Sequence, residues 1–285
     1  MSDNNQIVYL NGEYLPLNQA KVSVLDRGFL FGDGVYEVIP VYGGRPLRLE
    51  EHLTRLENSL SGIRMQPPLA WDDWKSILNK LIVGTEDQSI YLQVTRGVAP
   101  KRDHAFPKTP VAPTVFAMCT PTAPIPASGV SAITMDDIRW KWCHIKAITL
   151  LANILLRQMA VDEDCAEAIL IKDGYAIEGA ASNLFVVLNG TIITPPKTND
   201  ILPGITRDLV VEIARENTLP LEERAIRSEE LHQAEEVWVT SATREILPIV
   251  QLDGKFVGDG RPGAVWNRMN ALYQHHKTLL RSNPA

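Results

Sequence analysis

Two residues far apart in the chain carry complementary chemistry. Lys146 follows an aromatic stretch holding Trp140 and Trp142 and precedes an apolar run. Glu178 closes a β-rich segment just before Gly179-Ala180-Ala181-Ser182-Asn183-Leu184-Phe185. A lysine whose ammonium is destabilised by apolar or cationic surroundings becomes a nucleophile able to form an imine. A carboxylate bonded to a pyridinium nitrogen keeps that nitrogen protonated, so the ring can absorb electrons when a substrate Cα–H bond breaks. Together the two are the minimum equipment for pyridoxal phosphate (PLP) chemistry. Read alone, each has a plainer account: a surface lysine at a strand end, and a solvated strand-end acid. The small residues after Glu178 favour the ring, because they let a flat group approach the backbone.

Other segments suit anions. Pro203-Gly204-Ile205-Thr206-Arg207-Asp208 reads as a turn into a helix with Thr206 as N-cap, whose first amides would face a phosphate. Thr240-Ser241-Ala242-Thr243 follows a strand and offers hydroxyls and amides, or is an ordinary polar turn. Arg55 lies beside an apolar helical stripe and either meets a phosphate or pairs with Glu51 one turn earlier. Arg102-Asp103-His104, in a Pro- and charge-rich loop, could grip a substrate carboxylate, or be a solvated basic loop. Tyr36, after Gly32-Asp33-Gly34-Val35, offers a phenol to the same carboxylate, or is a half-buried strand tyrosine. Gly258-Asp259-Gly260-Arg261-Pro262-Gly263 matches the dinucleotide G-x-G-x-x-G string. It sits too near the C-terminus for a following βαβ unit, and reads as a loop capping the last helix.

The elements that must position these groups are mixed. Asn11-Gly12 predicts a hairpin between Ile7–Leu10 and Tyr14-Leu15. Residues 35–42 read as a strand. Leu49, Leu53, Leu56 and Leu60 predict a helix ending near Gly62, and another covers 72–83. Strands follow at 90–95 and 114–119. Pro121, Pro124 and Pro126 break regular structure and mark a linker. Beyond it we expect a strand leading to Lys146 and a helix over 149–161. Strands follow at 168–171, 176–177, 184–188 and 192–193, then helices from near Thr206 and Ser228. Strands at 237–240 and 249–252 precede a last helix over 263–280. Without regular βαβ alternation this is an α+β chain. It divides as an N-terminal domain (1–120), a linker (121–128) and a C-terminal domain (129–285) carrying the lysine.

The chain has 285 residues, 45% of them hydrophobic, enough for a sizeable core. A net charge of -6 excludes general nucleic-acid binding, since no basic excess exists to displace counterions. Cys119, Cys143 and Cys165 are odd in number and widely spaced, which fits reduced thiols in a cytoplasmic protein. The start has neither basic nor apolar signal regions, and the most apolar run, 148–156, is too short to span a bilayer. No Cys-x-x-Cys, His-Glu-x-x-His or Walker-type loop supports a metal or nucleotide site.

Taken jointly, several strings in this order resemble the fold-type IV PLP enzymes. These include the D-amino acid transaminases, branched-chain aminotransferases and aminodeoxychorismate lyases. The strings are Asp26-Arg27-Gly28, Phe31-Gly32-Asp33-Gly34-Val35-Tyr36-Glu37-Val38, Glu51-His52-Leu53-Thr54-Arg55-Leu56 and Gln93-Val94-Thr95-Arg96-Gly97. Asp137-Ile138-Arg139-Trp140, Ile145-Lys146 and Gly204-Ile205-Thr206-Arg207-Asp208 complete the set. Within the family they are most similar to the D-amino acid transaminases. The resemblance implies a two-domain α+β fold with PLP held covalently by Lys146, which also shuttles the Cα proton. It implies that Glu178 pairs with the ring nitrogen, with Ser182 and Leu202 beside the cofactor. Arg55, the amides of Ile205 and Thr206, and the Ala242-Thr243 turn would hold the phosphate. Tyr36 would trap the α-carboxylate together with Arg102 and His104 lent by the second subunit of a homodimer. The implied reaction exchanges amino groups between D-amino acids and 2-oxo acids; the alternatives are a branched-chain L-specific aminotransferase and a lyase. A binding module without PLP is the reading from a different class. Ala180 and Ala181 stand where such a transaminase can carry serines, and Pro40 where a basic residue can occur. Lys101 is an extra residue in its loop.

Overall fold

The computed structural model describes residues 6–282. The start of the chain, expected to carry no signal segment, lies outside them. Asn11 and Gly12 both take positive φ, +50° and +102°, and turn β1 (Ile7–Leu10) tightly onto β2 (Glu13–Pro16). The short α1 (Arg27–Phe31) is capped by the Asp26 carboxylate, which accepts from Gly28 N–H at 2.7 Å. Next come β3 (Gly34–Tyr42), β4 (Arg45–Pro46), α2 (Leu49–Gly62), α3 (Trp71–Leu81), β5 (Gln88–Thr95) and β6 (Thr114–Pro121). They build an antiparallel sheet in the order β2-β1-β6-β5-β3-β4. Period-2 alternation along β3 sends Val35, Ile39 and Val41 into a core shared with Leu53, Leu56 and Leu60 of α2. Tyr36 and Val38 point to the other face, beside Tyr91 and Gln93 of β5.

The second half begins with β7 (Val130–Asp136), α4 (Leu151–Asp162), β8 (Glu167–Lys172), β9 (Tyr175–Gly179), β10 (Asn183–Leu188) and β11 (Thr191–Thr194). It continues through α5 (Ile205–Glu216), β12 (Leu221–Glu223), β13 (Ile226–Arg227), α6 (Ser228–Leu231), β14 (Glu236–Ser241), β15 (Glu245–Leu252), β16 (Lys255–Phe256) and α7 (Ala264–Ser282). The sheet runs β12-β11-β10-β14-β15-β7-β8-β9-β13, with β16 on β15. Parallel pairing is confined to β15–β7, β7–β8 and β11–β12. Leu184, Val186, Val237, Val239, Leu247 and Ile249 form the core on one of its faces. The architecture is α+β, as expected.

Contacts divide the chain into two compact units. The first runs to Thr122 and takes in Ile145–Thr149 and the chain from Leu280; the second holds Ala123–His144 and Leu150–Leu279. The lysine segment thus packs with the first unit, whereas the sequence reading assigned it to the second domain. Backbone pairing is the reason. Tyr36 N–H donates to Lys146 O at 3.0 Å, and Ala147 bridges Val35. The strand expected to lead into Lys146 is also absent: β7 stops at Asp136, and 137–150 passes without a regular element before α4 starts at Leu151. The glycine string at 258–263 is a loop ahead of α7, as expected. The first amides of that helix are satisfied internally, Val265 and Trp266 N–H donating to the Glu236 carboxylate at 2.8 and 2.7 Å.

Candidate active site

In the first unit, Lys146 is held by its backbone: its N–H donates to the buried Ser59 hydroxyl of α2 at 3.2 Å. Its ammonium Nζ lies 4.0 Å from the Tyr36 ring centroid, a cation–π contact that brings two of the predicted residues together. α2 can come this close because residue 62 is glycine; a Cβ there would meet Ile145 Cδ1 at 2.8 Å.

Glu51, expected as the alternative partner of Arg55, meets Arg48 at 2.8 Å, and Arg55 is forked onto Glu37. Its Nε and Nη2 donate to Glu37 Oε1 and Oε2 at 2.8 and 2.7 Å, and Glu37 also bonds His52 Nδ1 at 2.7 Å. All three are buried. Burial pushes the Glu37 carboxyl up, but the Arg55 charge and the hydrogen bonds outweigh it and bring it down to about 2. Burial lowers His52, with Arg55 and Lys146 adding to the effect against the pull of Glu37.

Arg102 and His104 are exposed on their loop and share one platform. Arg102 Cζ lies 5.0 Å, and the His104 ring 5.3 Å, from the Phe31 ring centroid.

In the second unit Glu178 is buried rather than solvated. Arg139 Nη1 donates to its Oε1; Asn183 Nδ2 and Leu202 N–H donate to its Oε2 at 2.9 and 3.1 Å. Arg139 is itself forked onto Asp137, Nε and Nη2 each at 2.9 Å. Burial lifts the Glu178 carboxyl to about 7 against the opposing pull of Arg139 and the Leu202 amide. Ser182 gives its hydroxyl hydrogen to buried Glu167 at 2.7 Å, and Arg244 Nη1 reaches the same carboxylate oxygen at 2.9 Å. Arg244 belongs to the turn that follows Ser241, so one acid ties that turn to the segment after Glu178. Nearby Cys143 is a buried thiol pushed up to about 11 by burial, and donates to Trp140 O at 3.1 Å.

Helix α5 starts at Ile205, with Gly204 as its N-cap, so Thr206 lies inside the first turn rather than capping it. No side chain caps this end, which leaves first-turn amides without an intrahelical partner. Gly204 is required here, because a Cβ would meet Asn183 Oδ1 at 1.9 Å. Thr240, opposite Asn183 in the β10–β14 register, buries a hydroxyl that has no hydrogen-bond partner. An uncapped helix end, an orphaned hydroxyl and a fixed buried carboxylate suit a phosphorylated pyridinium cofactor. Among the described residues no group of three or more His, Cys, Asp or Glu could hold a metal ion.

Glu37, His52, Arg139 and Asn183 carry no role in the sequence analysis, whereas Thr240 belongs to a turn already expected to offer hydroxyls. Glu37, His52 and Arg139 lie inside the strings quoted for the family, so their signal was present without a partner to interpret it.

The fold and these groups define a class, and comparison agrees: the family described as amino-transferase class IV matches residues 34–252. The chain belongs to that family and is a PLP-dependent aminotransferase. It is 40% identical to a D-alanine aminotransferase of Bacillus licheniformis, over 94% of this chain and 96% of that one. A Staphylococcus haemolyticus D-alanine aminotransferase is 38% identical, over 92% and 94%. Among solved structures, the branched-chain amino acid aminotransferase of Escherichia coli superposes with a TM-score of 0.85 at 27% identity, covering 95% and 93%. The branched-chain aminotransferase of Thermoproteus uzoniensis with norvaline gives 0.86 at 26%, covering 97% and 96%.

Proposed function

We propose that this enzyme moves amino groups between D-amino acids and 2-oxo acids in two half-reactions, of the type D-alanine plus 2-oxoglutarate to pyruvate plus D-glutamate. The observation that carries the D-specific reading is that Arg102 and His104 both pack on the Phe31 ring. A guanidinium and an imidazole so disposed suit a carboxylate. The D-alanine aminotransferase relatives support it at 36–40% identity, against 26–27% for the branched-chain structures.

When bound, PLP supplies an electrophilic carbon for an amine and a ring that takes up electrons as the Cα–H bond breaks. Lys146 Nζ would hold the cofactor at that carbon and would take the proton that leaves the substrate Cα. Glu178 holds the proton on the ring nitrogen, and the fixed hydrogen bonds from Arg139, Asn183 and Leu202 keep its carboxylate oriented. Ser182 and Leu202 would line the ring. The amides of Ile205 and Thr206, the Ala242-Thr243 turn and Arg55 would hold the phosphate. Tyr36 joins Arg102 and His104 of a second subunit at the substrate carboxylate.

A homodimer is part of this reading. Leu151, Ile154, Leu155 and Met159 form an exposed apolar stripe on α4, which suits a second copy. Free Cys119, Cys143 and Cys165 suit a reducing cytoplasm, and no described helix is long and apolar enough to cross a membrane.

The test is a visible spectrum of the purified enzyme, with D-alanine and L-leucine added to separate aliquots without an oxo-acid acceptor. Conversion of the cofactor band by D-alanine alone is the expected result. Conversion by L-leucine alone would move the assignment to the branched-chain relatives, and no conversion by either toward a lyase.

A further inference from the structure

Arg27 is almost fully buried, yet its guanidinium spends its donors on an exposed loop. Nη1 donates to Asp103 O at 2.6 Å and to Ala105 O at 3.2 Å, and Nη2 donates to His104 O at 3.2 Å. Three successive carbonyls are thus gathered by one side chain 76 to 78 residues away in sequence. Its Nε donates to Asp33 Oδ2 at 2.7 Å. Asp33 is in turn clamped by Arg96, from Nε at 2.8 Å and Nη2 at 2.9 Å. Arg96 stacks 3.7 Å from the Phe106 ring centroid, at the far end of the same loop segment. Arg27 also lies 4.9 Å from the Phe31 centroid, the ring on which Arg102 and His104 rest.

The 100–113 loop has no helix or strand of its own. A loop without regular hydrogen bonds holds two side chains in one geometry only if something else fixes its backbone. Arginine is well suited to fixing it, because its planar fork is rigid and its charge is permanent, so one residue can satisfy several carbonyls in a fixed pattern. Lysine, a point charge on a flexible stem, cannot gather three carbonyls and an aspartate at once.

We infer that Arg27, with Phe31, is a positioning residue for substrate-carboxylate recognition: Arg27 fixes the backbone at 103–105, and Phe31 seats the Arg102 and His104 side chains. This rests on the carboxylate-trap reading given above. Neither residue need touch substrate. Their effect is confined to substrates that carry a carboxylate.

The test uses full-length enzyme loaded with cofactor and two amine donors, D-alanine and D-alaninamide, which differ only in the carboxylate. In Arg27→Lys and in Phe31→Leu, the ratio of kcat/KM for D-alanine over D-alaninamide should fall about tenfold, mainly through the KM for D-alanine. Arg27→Lys added to Arg102→Ala should lower the ratio little further, because both remove the same interaction. Phe31 is only half-buried, so its variant carries the test if Arg27→Lys fails to fold. Equal losses on both donors, or full additivity with Arg102→Ala, would overturn the inference and leave the trap standing. An unchanged ratio in Arg102→Ala itself would remove the trap, and this proposal with it.

Discussion

Glu37 and Arg55 meet through two parallel hydrogen bonds, Nε to Oε1 at 2.8 Å and Nη2 to Oε2 at 2.7 Å, inside the core of the first unit. A buried charge is tolerated only when its partner is fixed, and here the carboxylate also bonds His52. The arrangement pre-sets a guanidinium in the middle of α2, which suits a residue expected to meet a phosphate.

Removing the charge from Glu37 leaves Arg55 without its buried counter-charge. Glu37→Gln should cost about 3 kcal/mol of stability at neutral pH, read from urea unfolding. The folded carboxyl, at about 2, lies below its unfolded value, so its stabilisation is present above about pH 4.5. The gap between wild type and variant should therefore shrink as pH falls from about 4.5 towards 2. A gap independent of pH in that window would falsify the account of the pair.

Glu178 titrates with the opposite sign. In cofactor-free protein its carboxyl sits at about 7, above the unfolded value. The stabilisation linked to its proton is complete below about pH 4.5 and is lost as pH rises through about 7. Wild type should thus lose stability relative to Glu178→Gln across that window. In the loaded enzyme, where the acid has a pyridinium to hold, Glu178→Gln should lower kcat about a hundredfold or more. Near-normal turnover in the variant would remove it from the ring nitrogen.

Lys146→Ala should abolish both turnover and the visible band of the lysine-bound cofactor. Retention of spectrum and rate would sink the assignment of the lysine.

Thr240 gives a cleaner separation of binding from folding. Its hydroxyl is buried without a partner, so Thr240→Val should leave the cofactor-free protein unchanged in stability or slightly firmer. Fluorescence titration should show cofactor affinity weakened about fivefold, the equivalent of one hydrogen bond. Equal affinities would mean that the hydroxyl faces no ligand.

The α4 stripe predicts assembly. Ile154→Glu places a charge among Leu151, Leu155 and Met159, all exposed in the single chain. Sedimentation should find wild type as a dimer and the variant shifted towards monomer. A wild-type monomer would end the shared-site reading.

Local elements were legible in the residues themselves. Asn11-Gly12 adopts positive φ because those residue types tolerate it, and Leu49, Leu53, Leu56 and Leu60 predict α2 because burial of one stripe is decided within the helix. Lys146, Glu178 and the turn at Gly204 were also readable, since each sits in a short string with its own chemistry. The partners of those residues were not. Arg55 had Glu51 within reach on its own helix, yet it is forked onto Glu37, a carboxylate buried with it, where an unpaired charge would be costly. That Glu178 is buried against Arg139 was not legible, because nothing near it in sequence announces a partner 39 residues upstream. Lys146 joins the first unit through backbone pairing with β3, and Arg27 reaches carbonyls 76 to 78 residues away. The sequence by itself determined which groups are candidates for chemistry and where most helices and strands run, since both depend on residue type and short-range spacing. Which charges meet, and which loops are held still, was decided only by the tertiary structure, because burial and long-range contact select one partner among several that the local sequence permits.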